Sequence, residues 1–409
     1  MPEIVTIDKL RQYLPISLLY KLLLCLCLTG LLLNIRIGSL YISFACSFVF
    51  AISGFFLSLI EKPYISKLRL IVLVSPFILF FFSLTVFVLG YNWMIPTFTG
   101  NWLKQFVIFY IGVFSYIAYK DKHIDLDWFK YTFVLYTVLF CGRFLLENFS
   151  SISTIDSGGG RPNPEWAGGY NQFASILAIA SIMVVSTKTL FKREFLRWPI
   201  LGLFILCIVL TMSRGGLYSC ILGLGVYYFF NGFKKFLFFI FAFFMLGLGS
   251  FAFEKQIPIV QSAIDRFVDS VTSKNVIENT SGRSDMWFYT FEELYFRDAI
   301  NSLVGHGVGT YRYDSYYDPH NTYFHLFWEY GLVGFLFAVG FTLYLFINNF
   351  ALKIYNKDVY MIITILIVLC FNMLVEGYQY STQTGWLMGV ILGISFAIKG
   401  FKASSSEIV

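Results

Sequence analysis

Charged residues are scarce in this chain. Asp, Glu, Lys and Arg make up 13% of its 409 residues, whereas hydrophobic residues make up 57% and aromatic residues 20%. Because soluble domains carry about 25% charged residues, this composition excludes an ordinary soluble enzyme and predicts an all-α polytopic membrane protein. The net charge of +6 does not indicate a nucleic-acid partner, because the basic residues lie in loops between apolar runs.

Potential metal ligands are also few. The seven cysteines all fall inside apolar runs and none has the spacing of a metal site, so they are interpreted as packing residues. A site assembled from His306, Asp314, Asp318, His320 and His325 is an alternative, although its spacing matches no strong metal motif. The sequence therefore predicts chemistry without a metal or another cofactor.

Apolar runs of about 20 residues, long enough to cross a bilayer, recur along the chain. Twelve spans are predicted, at 16–34, 38–60, 69–91, 103–119, 129–147, 171–187, 199–212, 216–231, 235–253, 331–350, 359–377 and 382–400. Lys and Arg are enriched in every second connection, the pattern of cytoplasmic loops, so both termini are predicted to be cytoplasmic. Residues 1–409 would form one integral membrane domain, with 254–330 as a single large loop on the outer side.

Several arginines are predicted on the outer side, against this trend. Arg214 lies among glycines at the start of a predicted helix, which suits a phosphate group, and Ser213 would add a hydroxyl donor. Arg283 in the large loop is a second candidate for the same anion. Arg161, in a loop rich in Gly and Pro, and Arg143, near the end of a span, are supporting candidates. The alternative for Arg214 and Arg143 is a side chain that merely anchors a helix end.

The polar stretch before residue 331 contains the candidate base. His320 follows Asp318-Pro319, a helix-start signal, and a helix N-terminus disfavours the imidazolium, so His320 is expected to be neutral and competent as a base. Asn321 would hydrogen-bond a sugar or orient the imidazole ring. His325 lies on a different helix face and is interpreted as a packing or interface residue.

The segment that follows His320 is predicted to be a short helix at the membrane interface. Residues 331–350 alone complete a span of about 30 Å, so residues 320–330 need not cross the membrane. Glu329 lies at the junction, where it would either pair with an arginine or cap the break.

Together these motifs resemble those of the O-antigen ligase and O-antigen polymerase superfamily of bacterial envelope glycosyltransferases. His320-Asn321, followed after nine residues by Gly331 and Gly334, is similar to the histidine motif of the ligases. Two further stretches resemble superfamily motifs, namely the Ser213-Arg214-Gly215 turn and Gly282-Arg283 with Trp287 and Gly305-His306-Gly307.

The resemblance implies about twelve transmembrane helices with one large periplasmic loop in the bacterial inner membrane. It implies a glycan donor carried on undecaprenyl diphosphate. In ligases the acceptor is a sugar hydroxyl of lipid A–core, in polymerases it is another lipid-linked repeat unit, and some relatives transfer glycans to protein serines. The complete histidine motif favours the ligase function.

The expected reaction is a direct displacement at the anomeric carbon with inversion. His320 would take the acceptor proton, while Arg214 and Arg283 would hold the diphosphate as it leaves. A transporter or lipid flippase is an alternative because twelve spans suit one. Transporters place polar features near the membrane midplane, however, whereas here they are predicted at the outer surface.

Overall fold

The computed structural model describes residues 15–38, 40–60, 80–81, 84, 95–148, 162–187, 194–253, 285, 287–289, 292, 299–310, 321–350, 357–374 and 385–405. Within these residues the protein is mostly helical, as the composition predicts. The helices are α1 (Ile16–Leu33), α2 (Ile42–Ile60), α3 (Ile95–Lys120), α4 (Leu126–Glu147), α5 (Tyr170–Ser186), α6 (Arg197–Leu210), α7 (Arg214–Phe230), α8 (Phe233–Phe253), α9 (Ala299–Val304), α10 (Thr322–Phe350), α11 (Lys357–Met373) and α12 (Gly385–Ser405). Short 3-10 helices at Glu165–Ala167 and Glu194–Leu196 precede α5 and α6.

An antiparallel hairpin with two residues in each strand connects α1 to α2. Its strands are β1 (Arg36–Ile37) and β2 (Leu40–Tyr41), with Arg36 opposite Tyr41 in the register. Asn34 lies in the left-handed region at φ 51° and ends α1, because such a residue cannot continue the helix.

Among the described residues, five helical segments are long and apolar enough to cross a membrane: Ile16–Leu33, Ile42–Ile60, Thr99–Lys120, Leu126–Glu147 and Thr322–Tyr344. Shorter apolar segments are Tyr170–Ser186, Arg197–Leu210, Asp358–Met373 and Gly385–Ile398. An apolar helical membrane protein is therefore confirmed, whereas the full set of twelve spans stays a prediction. Most of the predicted span 69–91 and of the predicted loop 254–330 lies outside the described residues.

Helix α5 lies at the centre of the bundle, and every residue from Phe173 to Val184 is buried. A second packing centre joins α1, α2 and α3 through the rings of Tyr20, Phe50 and Phe114, which meet edge to face with centroids 4.9 to 5.3 Å apart. Such edge-to-face pairs favour a defined packing geometry over a non-directional apolar contact. By contrast, α8 and the later part of α10 expose large apolar side chains, as expected of surfaces that face lipid.

The two ends of the bundle differ in charge. At the end here called the basic end, the starts of α4 and α11 are joined by buried Lys130, whose Nζ lies 2.6 Å from Asp127 and 2.9 Å from Asp358. Other basic residues at this end are Lys120, Lys122, Arg197, Lys234 and Lys235. The opposite end, here called the site end, contains the ends of α1, α4, α6 and α11 and the starts of α3, α5, α7 and α10.

Candidate functional site

The structure describes five of the site residues predicted from the sequence, and all of them lie at the site end. They are Arg143, Ser213, Arg214, Asn321 and Glu329. The other three predicted residues, Arg161, Arg283 and His320, lie outside the described residues.

Asn321 caps helix α10. Its Oδ1 accepts hydrogen bonds from the backbone N–H of Tyr323 at 2.9 Å and of Phe324 at 3.2 Å, and the residue is buried. This is the arrangement by which an asparagine satisfies the unpaired N–H groups at a helix start. The helix therefore begins directly after His320-Asn321, and a contact between this amide and a sugar would use Nδ2.

Helix α10 is broken at Gly331, the residue at which the predicted membrane span begins. Gly331 has φ 63° and ψ −165°, a conformation essentially restricted to glycine, so α10 consists of two stretches, 322–330 and 332–350. A Cβ at this position would also collide with the Leu303 carbonyl and the Gly305 nitrogen. Length and hydropathy alone treat Thr322–Tyr344 as one span. Because of the break, we take the continuous span to begin after Gly331, and residues 332–350 then extend about 28 Å.

A glycine-rich turn, residues 305–310, docks on the first stretch of α10. The backbone N–H of His306 donates to the Trp328 carbonyl at 2.8 Å, and that of Gly307 donates to the Glu329 carbonyl at 3.1 Å. The break at Gly331 leaves these last carbonyls of the stretch without their usual partners in the next helical turn, and the docked turn supplies the donors instead.

Side chains reinforce this docking. Glu329 is 1% exposed, and its Oε1 accepts the Gly309 N–H at 2.8 Å and lies 3.9 Å from Nδ1 of His325. The indole N–H of Trp328 donates to Thr310 Oγ1 at 3.1 Å. The His306 imidazole also stacks on the Trp328 indole, with ring centroids 4.2 Å apart. These contacts are consistent with the role of capping the break, and His325 is buried beside Glu329.

The turn before α7 holds Arg214 at the first position of that helix. Ser213 is its N-cap: the hydroxyl accepts the Gly216 N–H at 3.1 Å and donates to Asn171 Oδ1 at 2.7 Å. Ser213 is buried. A hydroxyl has only one hydrogen, and Ser213 already donates it to Asn171, so this hydroxyl has no hydrogen left to donate to a ligand. Ser213 therefore fixes the turn, while half-buried Arg214 carries the charge.

Sequence reasoning did not assign a role to two asparagine amides near this turn. Asn171, at the start of α5, holds Ser213 across the helix interface. Asn372, near the end of α11, is fully buried and forms a hydrogen bond with Ser219, one turn into α7. An asparagine within an otherwise apolar run was the available signal, because buried polar groups between membrane helices usually pair with a neighbouring helix.

Arg143 lies in a network at the base of the loop that carries Arg161. Its Nε is 2.6 Å from Glu147 Oε1, its guanidinium lies over the Trp166 ring at 4.7 Å, and it donates to the Leu32 carbonyl of α1. The Trp166 indole N–H donates to Glu147 Oε2 at 2.9 Å. These contacts join α1, α4 and the segment before α5, and they favour the interpretation of Arg143 as an anchor.

Helix α11 connects the Arg214 turn to the start of α10. Its Asn372 contacts Ser219 of α7, and its Cys370 lies beside Tyr323 of α10. Among the described residues, no group of three or more His, Cys, Asp or Glu side chains could hold a metal ion. Because His320 and the neighbouring aspartates lie outside those residues, metal-free chemistry stays a prediction.

The apolar helices are those of a helical membrane protein. The buried polar contacts lie at one end of these helices, and this end carries the candidate site. Residues 199–339 match the family model described as O-antigen ligase, and this match supports the resemblance to the O-antigen ligase superfamily. The matched segment is about a third of the chain and includes Ser213, Arg214, His320, Asn321 and Glu329. No curated protein matches the chain.

The match also indicates a class of reaction. The matched family implies a glycosyltransferase-like enzyme of the O-antigen pathway that acts on lipid-linked glycans. Ligases and polymerases share this family, and the match does not separate them.

Proposed function

We propose that the protein is an O-antigen ligase, which transfers a glycan from undecaprenyl diphosphate to a sugar hydroxyl of lipid A–core at the periplasmic face of the inner membrane. The observation that carries the proposal is the bridge formed by α11. Through Asn372 and Cys370, this helix holds the start of α7, with Arg214, beside the start of α10, which directly follows His320-Asn321. A diphosphate site and a base are thereby assigned to neighbouring helix starts.

In the proposed reaction, His320 removes the proton from the acceptor hydroxyl, whose oxygen attacks the anomeric carbon of the donor. The bond between that carbon and the diphosphate oxygen breaks in the same step, so the anomeric configuration inverts. Arg214 and Arg283 stabilise the charge that develops on the leaving undecaprenyl diphosphate, which removes the need for a metal ion. Binding two membrane-held substrates side by side contributes a large part of the rate.

Arg161 and Arg143 support the donor site in this proposal. Glu147 and Trp166 flank in sequence the predicted loop that carries Arg161, and Arg143 contacts both of these residues. We assign Arg143 to holding the base of this loop and Arg161 to an outer contact with the donor. Ser213 acts through the position of Arg214, because its own hydroxyl is committed to Asn171.

The site end is proposed to face the periplasm, with both termini in the cytoplasm. The clustering of lysines and arginines at the opposite end supports this orientation, because short cytoplasmic loops are enriched in these residues. The arrangement also supports an enzyme over a transporter: the buried polar contacts around Ser213 and Glu329 lie at helix ends, whereas transporters bind near the midplane.

Envelope glycans of a deletion strain distinguish the ligase from an O-antigen polymerase, which would use the same residues with another lipid-linked unit as acceptor. Loss of a ligase leaves lipid A–core bare while long polymer accumulates on the carrier lipid. Core that carries a single repeat unit would instead identify a polymerase and overturn the ligase proposal. Complementation with the wild-type gene and with a His320→Ala gene controls for effects of the deletion itself.

A further inference from the structure

Glu329 is a buried carboxylate for which the proposed transfer chemistry has no use. Burial of a carboxylate is costly unless hydrogen bonds or a counter-charge compensate for lost hydration. At 1% exposure, its Oε1 accepts the Gly309 N–H at 2.8 Å, and His325 Nδ1 is 3.9 Å away. An N–H or an oxygen left unpaired in this buried position would cost free energy. The Gly309 contact is therefore a defined point of attachment.

Glu329 holds the turn 305–310 by two routes. Its side chain binds Gly309, and its backbone carbonyl accepts the Gly307 N–H at 3.1 Å. Thr310, the last residue of the turn, donates to the Gly307 carbonyl at 2.8 Å and accepts the Trp328 indole N–H at 3.1 Å. The C-terminal end of the turn is thus fixed to the last turn of helix 322–330.

The start of the same short helix is fixed as well. Asn321 caps it through the N–H groups of residues 323 and 324, and its carbonyl accepts the His325 N–H at 3.1 Å. Asn321 and Trp328 are seven residues apart, which corresponds to about 10 Å along the helix axis. Thr310 and Asn321, the residues that flank segment 311–320 in the sequence, are consequently both attached to one rigid element.

We propose that Glu329 is a positioning residue for His320. Its carboxylate attaches the 305–310 turn to helix 322–330. Asn321, at the start of this helix, directly follows His320 in the sequence, so fixing the helix also restricts the position of His320. The role requires a hydrogen-bond acceptor at Oε1, not a transferable proton. The inference rests on the proposed function, in which His320 is the base.

Substitutions of Glu329 test this role in purified protein reconstituted in nanodiscs. Glu329→Gln retains an acceptor oxygen for Gly309, so turnover should stay within about tenfold of wild type, since only the charge assistance is lost. Glu329→Ala removes the acceptor, and displacement of the base by about 1 Å should lower turnover about 10²-fold. Donor affinity should not change in either variant. Glu292→Ala, which removes an exposed carboxylate, is the matched control and should behave as wild type.

A second variant attacks the same contact from the other side. Gly309 has φ 81°, and a Cβ there would collide with the Asn101 side chain, so Gly309→Ala should displace the N–H that Glu329 binds. Its turnover should fall as in Glu329→Ala, again with donor affinity retained. If Glu329→Ala fails to fold, this variant and Glu329→Gln keep the role open to refutation.

The double variant shows whether Glu329 acts through His320. Once His320→Ala has removed the base, adding Glu329→Ala should change turnover by no more than about twofold, because residues that act as a unit are not additive. Losses that multiply would overturn the inference, and so would a Glu329→Gln variant as inactive as Glu329→Ala. Loss of donor binding together with thermal stability would also overturn it, because a merely structural role predicts that result.

The two proposals fail in different ways. An inactive His320→Ala variant beside a fully active Glu329→Ala variant overturns only the positioning role. A fully active His320→Ala variant overturns the proposed base and, with it, the role of Glu329.

Discussion

Gly331→Ala tests whether the break in α10 is required for the site. Any residue with a Cβ is strained at φ 63° and ψ −165°, at a cost of about 1–3 kcal/mol. The added Cβ would also meet the Leu303 carbonyl and the Gly305 nitrogen, and a forced backbone shift of this kind adds about 1–3 kcal/mol. The free energy of unfolding should therefore fall by about 2–6 kcal/mol, or the 305–310 turn should detach from α10.

Gly340→Ala, in the same helix, is the matched control. Gly340 is exposed, and a Cβ added to it would have no neighbour within 4 Å, so alanine should leave stability unchanged or raise it by up to about 1 kcal/mol. Thermal unfolding and glycan transfer would be measured for both variants in nanodiscs. Equal melting temperatures and equal transfer rates in the two variants would refute the reasoning, because they would show that position 331 accepts a Cβ without strain.

Four further predictions concern orientation, cofactors, the base and the binding of the diphosphate. Reporter fusions after Arg193 should be cytoplasmic and fusions after Lys274 periplasmic; a cytoplasmic signal after Lys274 would place the candidate site on the wrong side. Turnover should persist in excess chelator, and a loss that zinc, magnesium or manganese restores would identify a metal site. His320→Ala should lower turnover by about 10²–10⁴-fold while donor affinity is retained. Arg214→Ala should weaken donor binding as well, with Arg214→Lys only partly restoring it because lysine lacks the guanidinium fork. If Arg214→Ala binds the donor as tightly as the wild type does, Arg214 does not bind the diphosphate and only anchors the end of its helix.

Local signals in the sequence predicted local structure well. A helix start at His320-Asn321 and a break at Gly331 follow from residue types whose backbone preferences are strong, and the structure has a cap at Asn321 and the break at Gly331. Apolar runs likewise predicted helices, since a backbone in lipid must satisfy its own hydrogen bonds.

Contacts between distant residues could not be predicted in this way. The Gly309 N–H meets a carboxylate 20 residues later, and Ser219 meets an amide 153 residues later. Neither pairing follows from periodicity, because both depend on how helices pack. The same limit explains Ser213, for which the sequence shows a hydroxyl beside an arginine but not the neighbour, Asn171, that takes its hydrogen.

The central helix α5 is shorter than a bilayer is thick. Its 17 residues extend about 26 Å, whereas the hydrocarbon core measures about 30 Å. A helix of this length that faced lipid would have to thin the membrane, but α5 is surrounded by protein, so neighbouring helices absorb the mismatch. Its polar start, where Asn171 holds Ser213, can therefore lie below the level of the surrounding headgroups. A carrier lipid could then bring its diphosphate to this depth sideways, without lifting its chain out of the membrane.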